Sequence, residues 1–299
     1  MGKIFRIIDN LSIENRFSIY LPIFRVFISF HILKKMYLGW SSISLLYGDL
    51  MIAKSPILNT LPFLAYSVGD FPLIILLTIL VSLLFAFGIG RWFTALLLYM
   101  LMYFNNELSY LYSNGGDNLL SFICLYMIFT NSYNYFVLNK SKISKSKISN
   151  LASNLACYSI MIHLCLIYFV SFIHKIHSDM WYNGVANYYI LNLERYSSPF
   201  NHIFSKNMTF IVFSTYFTLA FELFFPILVW NKKLRNILLI SGIFLHLGIY
   251  FFMMIYDFEI LFIMIYGFFI TNSEWSKIFI YIKEKTTRIN IKYLNLNKK

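Results

Sequence analysis

Charge is scarce in this sequence, and acid is scarcer than base. Charged residues fill 13% of the 299 positions, and 13 Asp and Glu stand against 25 Lys and Arg. A soluble domain ordinarily carries about 25% charged residues, so the composition argues against a water-facing globule. Cysteine is nearly absent. Cys124, Cys157 and Cys165 all lie inside apolar stretches without a CxxC, which excludes a disulfide framework and a thiol-redox motif. The opening 17 residues have no apolar core, because Lys3, Arg6, Asp9, Glu14 and Arg16 interrupt them. No cleavable signal peptide is expected there, and the first apolar run would act as the insertion signal.

Apolar residues are what the chain has instead. They make up 59% of it, with 32 Phe and 23 Tyr, as expected where rings face lipid or gather at headgroup depth. A bilayer core takes about 20 apolar residues per helix. On that length the sequence predicts an all-α polytopic membrane bundle of eight transmembrane helices. The spans fall near 19–37, 71–90, 92–112, 118–138, 151–173, 208–230, 236–256 and 258–272.

The net charge of +12 would suit a nucleic-acid partner if it formed a patch. It sits instead in short loops between apolar runs, so the lipid bilayer is the partner read here, and nucleic acid is not. With the N-terminus inside, the inner segments hold Lys3, Arg6, Arg16, Arg91, Lys140, Lys142, Lys145, Lys147, Lys232, Lys233, Arg235 and the basic tail. The outer ones hold only Lys54, Lys175, Arg195 and Lys206, with Asp49, Asp70, Glu107, Asp117, Asp179, Glu194, Asp257 and Glu259. Every loop agrees with the positive-inside rule, which places both termini in the cytoplasm of a cell-membrane protein. The chain reads as one membrane domain over 1–272 with a basic hinge at 139–150, then a basic tail at 273–299. For that tail an amphipathic surface helix and a disordered segment both stay open. The stretch from His174 to Asn207 is too polar to span and rich in aromatics, which suits an interfacial or re-entrant segment.

Ionisable residues inside spans are costly and so point to function. Arg25 and His31 fall in the first span, His163 in the fifth, Glu222 in the sixth and His246 in the seventh. Counting about 1.5 Å per residue from the inner end puts Arg25 about 9 Å deep, Glu222 about 12 Å and the three histidines about 16–18 Å. An Arg25–Glu222 ion pair is the simplest expectation. A proton relay, a substrate-binding cluster and a metal site are the alternatives. No HxxxH or HxxE spacing puts two ligands on one helix face, and no metal ligand is assigned. At the outer end of the fifth span, His174, Lys175 and His177 precede Asp179 and Trp181. Lys175 reads as a snorkelling interfacial lysine or as a general base in an apolar surround. Gly115, Gly116 and Asp117 most simply make the turn that starts the fourth helix.

Four segments follow one another here: FRVFISFHILKKMYLGW, NGGDNLLSFICLYMIF, YFVSFIHKIHSDMWYNGVANYYILNLERYSSPF and ELFFPILVWNKKLRNILLISGIFLHLGI. Together, from Phe24 to about Phe269, they resemble the HTTM family, whose membrane domain is shared with vitamin K-dependent γ-glutamyl carboxylase. The most specific piece is Lys175, Trp181 and Gly184. In the carboxylases the lysine at the position of Lys175 is the base that starts vitamin K hydroquinone oxygenation. The resemblance therefore implies a catalytic Lys175 and a reduced quinone of vitamin K type as cofactor. Candidate catalytic residues are Lys175, His174, His177 and Asp117. Candidate substrate-binding residues are Trp181, Gly184, His163, His246, Glu222 and Arg25.

Two departures weigh against carboxylation itself. The carboxylases have an Asn-Asn-His motif where this sequence has Gly115, Gly116, Asp117 and Asn118. They also carry a large lumenal domain for the protein substrate, which has no counterpart here. The size is closer to compact bacterial members that mature or export small antimicrobial peptides, as in the sporulation-delaying toxin system. Three readings compete: maturation or export of a small secreted peptide or processing of a lipid-soluble substrate, a quinol-dependent carboxylase-like enzyme, and a non-enzymatic partner or immunity protein.

Overall fold

The computed structural model describes residues 2–41, 71–108, 113–138, 146–194 and 198–296. Of the charged residues that marked the loops, Asp49, Lys54, Asp70, Arg195, Lys140, Lys142 and Lys145 lie outside the described residues. Every regular element among the described residues is helical. The chain runs α1 (Gly2–Ile13), α2 (Tyr20–Ser41), α3 (Phe71–Ala86), α4 (Trp92–Leu108), α5 (Gly115–Met127) and α6 (Lys147–Ile176). Three short helices follow, α7 (Asp179–Tyr182), α8 (Ala186–Leu191) and α9 (Asn201–Phe204). Then come α10 (Met208–Leu228), α11 (Lys232–Met253), α12 (Tyr256–Ile265), a 3₁₀ turn at Tyr266–Phe269 and α13 (Asn272–Leu296). By length and apolarity α6, α10 and α11 can each cross a membrane, while α3 and α5 are apolar but shorter.

Local chemistry sets several of these starts. Asn114 accepts from the Gly116 N–H at 2.8 Å, and Asp117 reaches back to the Asn114 N–H at 3.0 Å, a capping box that opens α5. Ser146, Asn207 and Asn231 cap α6, α10 and α11 through their side-chain oxygens. Each such cap contributes about 1 kcal/mol. The α6 cap falls inside the predicted basic hinge, so the last residues of that hinge already belong to α6.

The helices α2 to α5 pack in sequence order, and α6, α10, α11 and α12 form a second group. Contacts of α5 with α6 and α12 join the groups, and the 3₁₀ turn touches both α2 and α6. Gly267 sits in that turn against the Tyr20 ring, where any Cβ would overlap the ring. Tyr20 in turn donates its hydroxyl to the Met264 carbonyl and stacks on Trp275 at 4.9 Å. Phe24 and Tyr20 of α2 also meet Phe268 of the turn edge-on, with ring centres 4.7 and 5.1 Å apart.

The fourth predicted span is shorter than its apolar run. Helix α5 stops at Met127, and residues 128–138 take an irregular path. Arg25 explains how. Its guanidinium, fully buried, donates to the carbonyls of Ser132 at 2.7 Å, Phe136 at 2.6 Å and Tyr135 at 3.2 Å. It also donates to the carbonyl of Ala86, the last residue of α3, at 3.2 Å. A helix C-terminus carries negative partial charge, so this cation is well placed there. The expected Arg25–Glu222 pair is therefore corrected: Arg25 is held by backbone oxygens, and Glu222 binds elsewhere.

Candidate functional site

One face of α6 organises the site. Tyr168, Ser171 and Lys175 recur at i, i+3 and i+7, so they share that face. The Lys175 amine donates to Glu222 Oε1 on α10, and the Ser171 hydroxyl donates to the same oxygen at 3.1 Å. The Trp181 indole covers the amine, with its ring centre 4.7 Å from Nζ, the geometry of a cation–π contact. Glu222 is buried, and its Oε2 has no hydrogen-bond partner among the described residues. Pro226 lies four residues on and cannot donate to the Glu222 carbonyl, which loosens the helix there.

Further along the same face, Tyr168 Oη meets His246 Nε2 at 2.5 Å and Tyr266 Oη at 2.6 Å. His246 Nδ1 donates to the Glu259 carboxylate. All four groups are buried. An ionised carboxylate only accepts, which places a proton on Nδ1. Nε2 then either accepts from Tyr168 or, in a cationic ring, donates to it. Either arrangement leaves every bond of the network made. Phe221, Phe225 and Phe262 pack edge-on around Tyr168 and shield it from solvent.

The backbone places Glu259 beside His246. Met254 ends α11 with a left-handed φ of 56°, and α12 folds back along α11. Gly184 makes a comparable turn after α7. Its φ is 75°, and a Cβ there would lie 2.8 Å from the Tyr216 ring. The Tyr216 hydroxyl donates to the Tyr182 carbonyl at 2.8 Å and so pins α7 to α10. A groove of about 710 Å³ opens along the same α6–α10 seam, lined by Phe172, Ile176, Tyr182, Asn183, Leu219 and Phe224 among others. Its walls are mostly apolar, and neither Lys175 nor Glu222 lines it.

Of the residues picked from sequence, Lys175, Trp181 and Glu222 come together, with His246 one step deeper and Gly184 shaping the loop that carries Trp181. The others have different partners. Asp117 binds Lys35 and caps α5, and those two contacts account for it structurally. His174 is exposed, and His177 is exposed with Nδ1 donating to its own helix at the Ile173 carbonyl, 2.6 Å away. His163 meets the Tyr126 hydroxyl at 3.2 Å and an edge-on ring from Phe122. Arg25 joins the 132–136 turn. Among the described residues no group of three His, Cys, Asp or Glu gathers as metal ligands.

Sequence reasoning missed Glu259, Tyr168 and Tyr266. Glu259 looked like an external acid, yet it is 1% exposed. The i, i+3, i+7 spacing of Tyr168, Ser171 and Lys175 was the signal available for one of them.

No family model, curated protein or solved structure matches this chain. The functional reading rests on the geometry of the site.

Proposed function

We propose that this chain is an eight-span membrane protein of HTTM type with both ends in the cytoplasm. In this reading it handles protons on a lipid-soluble or small secreted peptide substrate near the outer face. One observation carries the reading: the Lys175 amine is held between the Glu222 carboxylate and the Trp181 indole, next to a buried Glu259–His246–Tyr168–Tyr266 network. Ionisable groups gathered inside apolar helices carry a free-energy cost that a purely structural bundle avoids.

The division of labour follows from positions. Among the cluster's ionisable groups Glu222, His246 and Glu259 are buried, while Lys175 is partly exposed, at 24% of its side chain. It takes the substrate proton once its own has passed to Glu222, whose Oε2 is open to a donor. Proton exchange between a directly bonded amine and carboxylate keeps the pair neutral as a whole, so no isolated charge is left in a low-dielectric surround. Trp181 orients the amine. The apolar groove beside the seam suits a hydrocarbon chain or an apolar peptide side chain. A reduced quinone is one substrate of this class, and its acidic O–H matches what the pair accepts. In that version the quinol supplies the redox chemistry, and the chain's residues position it and move its proton.

Lys175→Arg tests the reading, because a guanidinium keeps the charge but cannot give up its proton. Product mass in strains carrying either form, at matched membrane levels, should show maturation lost with Arg. Normal product from the Arg variant would refute a base at this position. The non-enzymatic reading, in which Lys175 only ties α6 to α10, would then stand. The topology has its own check. A cysteine placed at Ile203, which is 68% exposed, should react with an impermeant reagent added outside, and one at Lys277 should not.

A further inference from the structure

Two helices at one end of the molecule present apolar surface that no other described residue covers. The C-terminal α13 carries Trp275, Phe279 and Ile282 at successive four- and three-residue steps, one continuous stripe. Trp275 packs inward on Tyr20 and donates its indole N–H to the Gly267 carbonyl at 3.0 Å. One turn later the stripe leaves the bundle: Phe279 is 42% exposed and Ile282 is 52% exposed. The start of α13 is firmly held. Arg235 binds Glu274 at 2.5 Å, and Asn272 donates to Ser18 Oγ at 3.0 Å and to the Asn15 carbonyl at 3.3 Å.

That same junction anchors α1. Asn150 and Asn154 of α6 donate to the carbonyls of Leu11, Ser12, Ile13 and Glu14 and so cap its C-terminal end. Helix α1 repeats the pattern of α13, with Ile7, Ile8 and Leu11 on one stripe and Phe5 exposed beside it. Charge marks α13 above all. Lys277, Lys283 and Lys285 stand there against Glu274 and Glu284, and Glu274 is already bound to Arg235.

We infer that α1 and α13 form an interfacial collar that lies on an anionic bilayer surface. Their apolar stripes sink into the headgroup boundary, and the α13 lysines meet lipid phosphates. An exposed apolar stripe flanked by bases marks a helix lying in that plane. The excess of base chooses anionic lipid over a second copy of the chain, since two such helices would set their like charges against each other. The inference rests on the membrane reading proposed above.

The whole chain, reconstituted in nanodiscs of phosphatidylcholine alone or in an equal mixture with phosphatidylglycerol, tests it. A polarity-sensitive fluorophore on Phe279→Cys reports the collar, and one on Phe244→Cys, mid-α11 and 70% exposed, reports the bundle. In the mixed bilayer a lipid-borne quencher should quench both labels. In phosphatidylcholine alone, or with Lys277→Gln and Lys285→Gln together, the Phe279 label should shift toward an aqueous quencher. Two charges should change that balance roughly thirtyfold. An equal aqueous response of the Phe279 label in both lipids would overturn the collar, as would dipolar coupling between the labels of two copies. Loss of lipid quenching at Phe244 would instead overturn the membrane reading itself.

Discussion

Lys175 and Glu222 meet across the α6–α10 seam, 47 residues apart in sequence, with one carboxylate oxygen bound and the other without a partner among the described residues. Removing either member leaves the other charge stranded. Glu222→Ala should therefore destabilise the fold by about 3 kcal/mol, in the range found for broken buried pairs. Replacing both, with Lys175→Met and Glu222→Leu, should recover most of that loss, because apolar residues of similar volume substitute well for a buried pair. Thermal unfolding in nanodiscs measures the cycle. A double variant as unstable as the single ones would show that the pair is not the unit.

Arg25 gives a sharper test. Its partners are carbonyls of Ala86, Ser132, Tyr135 and Phe136, so charge alone does not meet the site's needs. Arg25→Lys keeps the cation but lacks the forked donors that reach four oxygens. It should lower stability by about 2 kcal/mol, near the value of one lost charged hydrogen bond. The Arg25→Glu, Glu222→Arg exchange should rescue nothing. Recovery of folded protein by that exchange would contradict the geometry.

Within the buried network, Tyr168→Phe removes one hydroxyl and two hydrogen bonds while keeping the ring among Phe221, Phe225 and Phe262. His246→Ala removes the ring and strands Glu259. The first should cost about 1–2 kcal/mol and the second clearly more, since a buried carboxylate loses its donor. Unfolding midpoints at one lipid composition check the order. Equal losses would mean that stranding Glu259 carries no penalty of its own.

Glu274 brings pH into the α13 junction. Partial burial alone would raise its carboxyl, but the Thr271 N–H and hydroxyl together with Arg235 outweigh that and hold it below the ordinary 4.5. A depressed folded value means that its stabilisation is full above about 4.5 and fades as the pH falls through the lower folded value. Trp275 emission should shift as α13 loosens below pH 4.5, and Glu274→Gln should abolish that step. A step of unchanged size in the Gln variant would place its origin elsewhere.

The helices were legible because apolar runs and basic loops are properties of single segments. Lys175, Trp181 and Gly184 were grouped through the family resemblance, and the structure brings Trp181 over the Lys175 amine. What failed was pairing across helices. Counting depth from the inner end matched Glu222 to Arg25, a method that assumes upright helices and ignores the reach of a lysine side chain. The buried place of Glu259 was hidden for a different reason. It depends on the reversal at Met254, a left-handed residue that no turn motif announces. The Gly115-Gly116-Asp117 turn was legible as a helix start, and Asp117 does cap α5, while its bond to Lys35 on α2 was not readable from one segment.

Helix α5 has 13 residues, about 20 Å of rise, against a hydrocarbon layer of about 30 Å. Where the helix stops, three carbonyls of the irregular segment, those of Ser132, Tyr135 and Phe136, converge on the Arg25 guanidinium. Because those acceptors are main-chain atoms, the side chains at Ser132, Tyr135 and Phe136 are free to drift while position 25 is not. Among the described residues no carboxylate pairs with Arg25 at this joint, so acidification removes none of its acceptors. Arg25 of α2 thus ties the irregular 128–138 segment to the end of α3, alongside the Leu138 N–H bond to the Phe87 carbonyl.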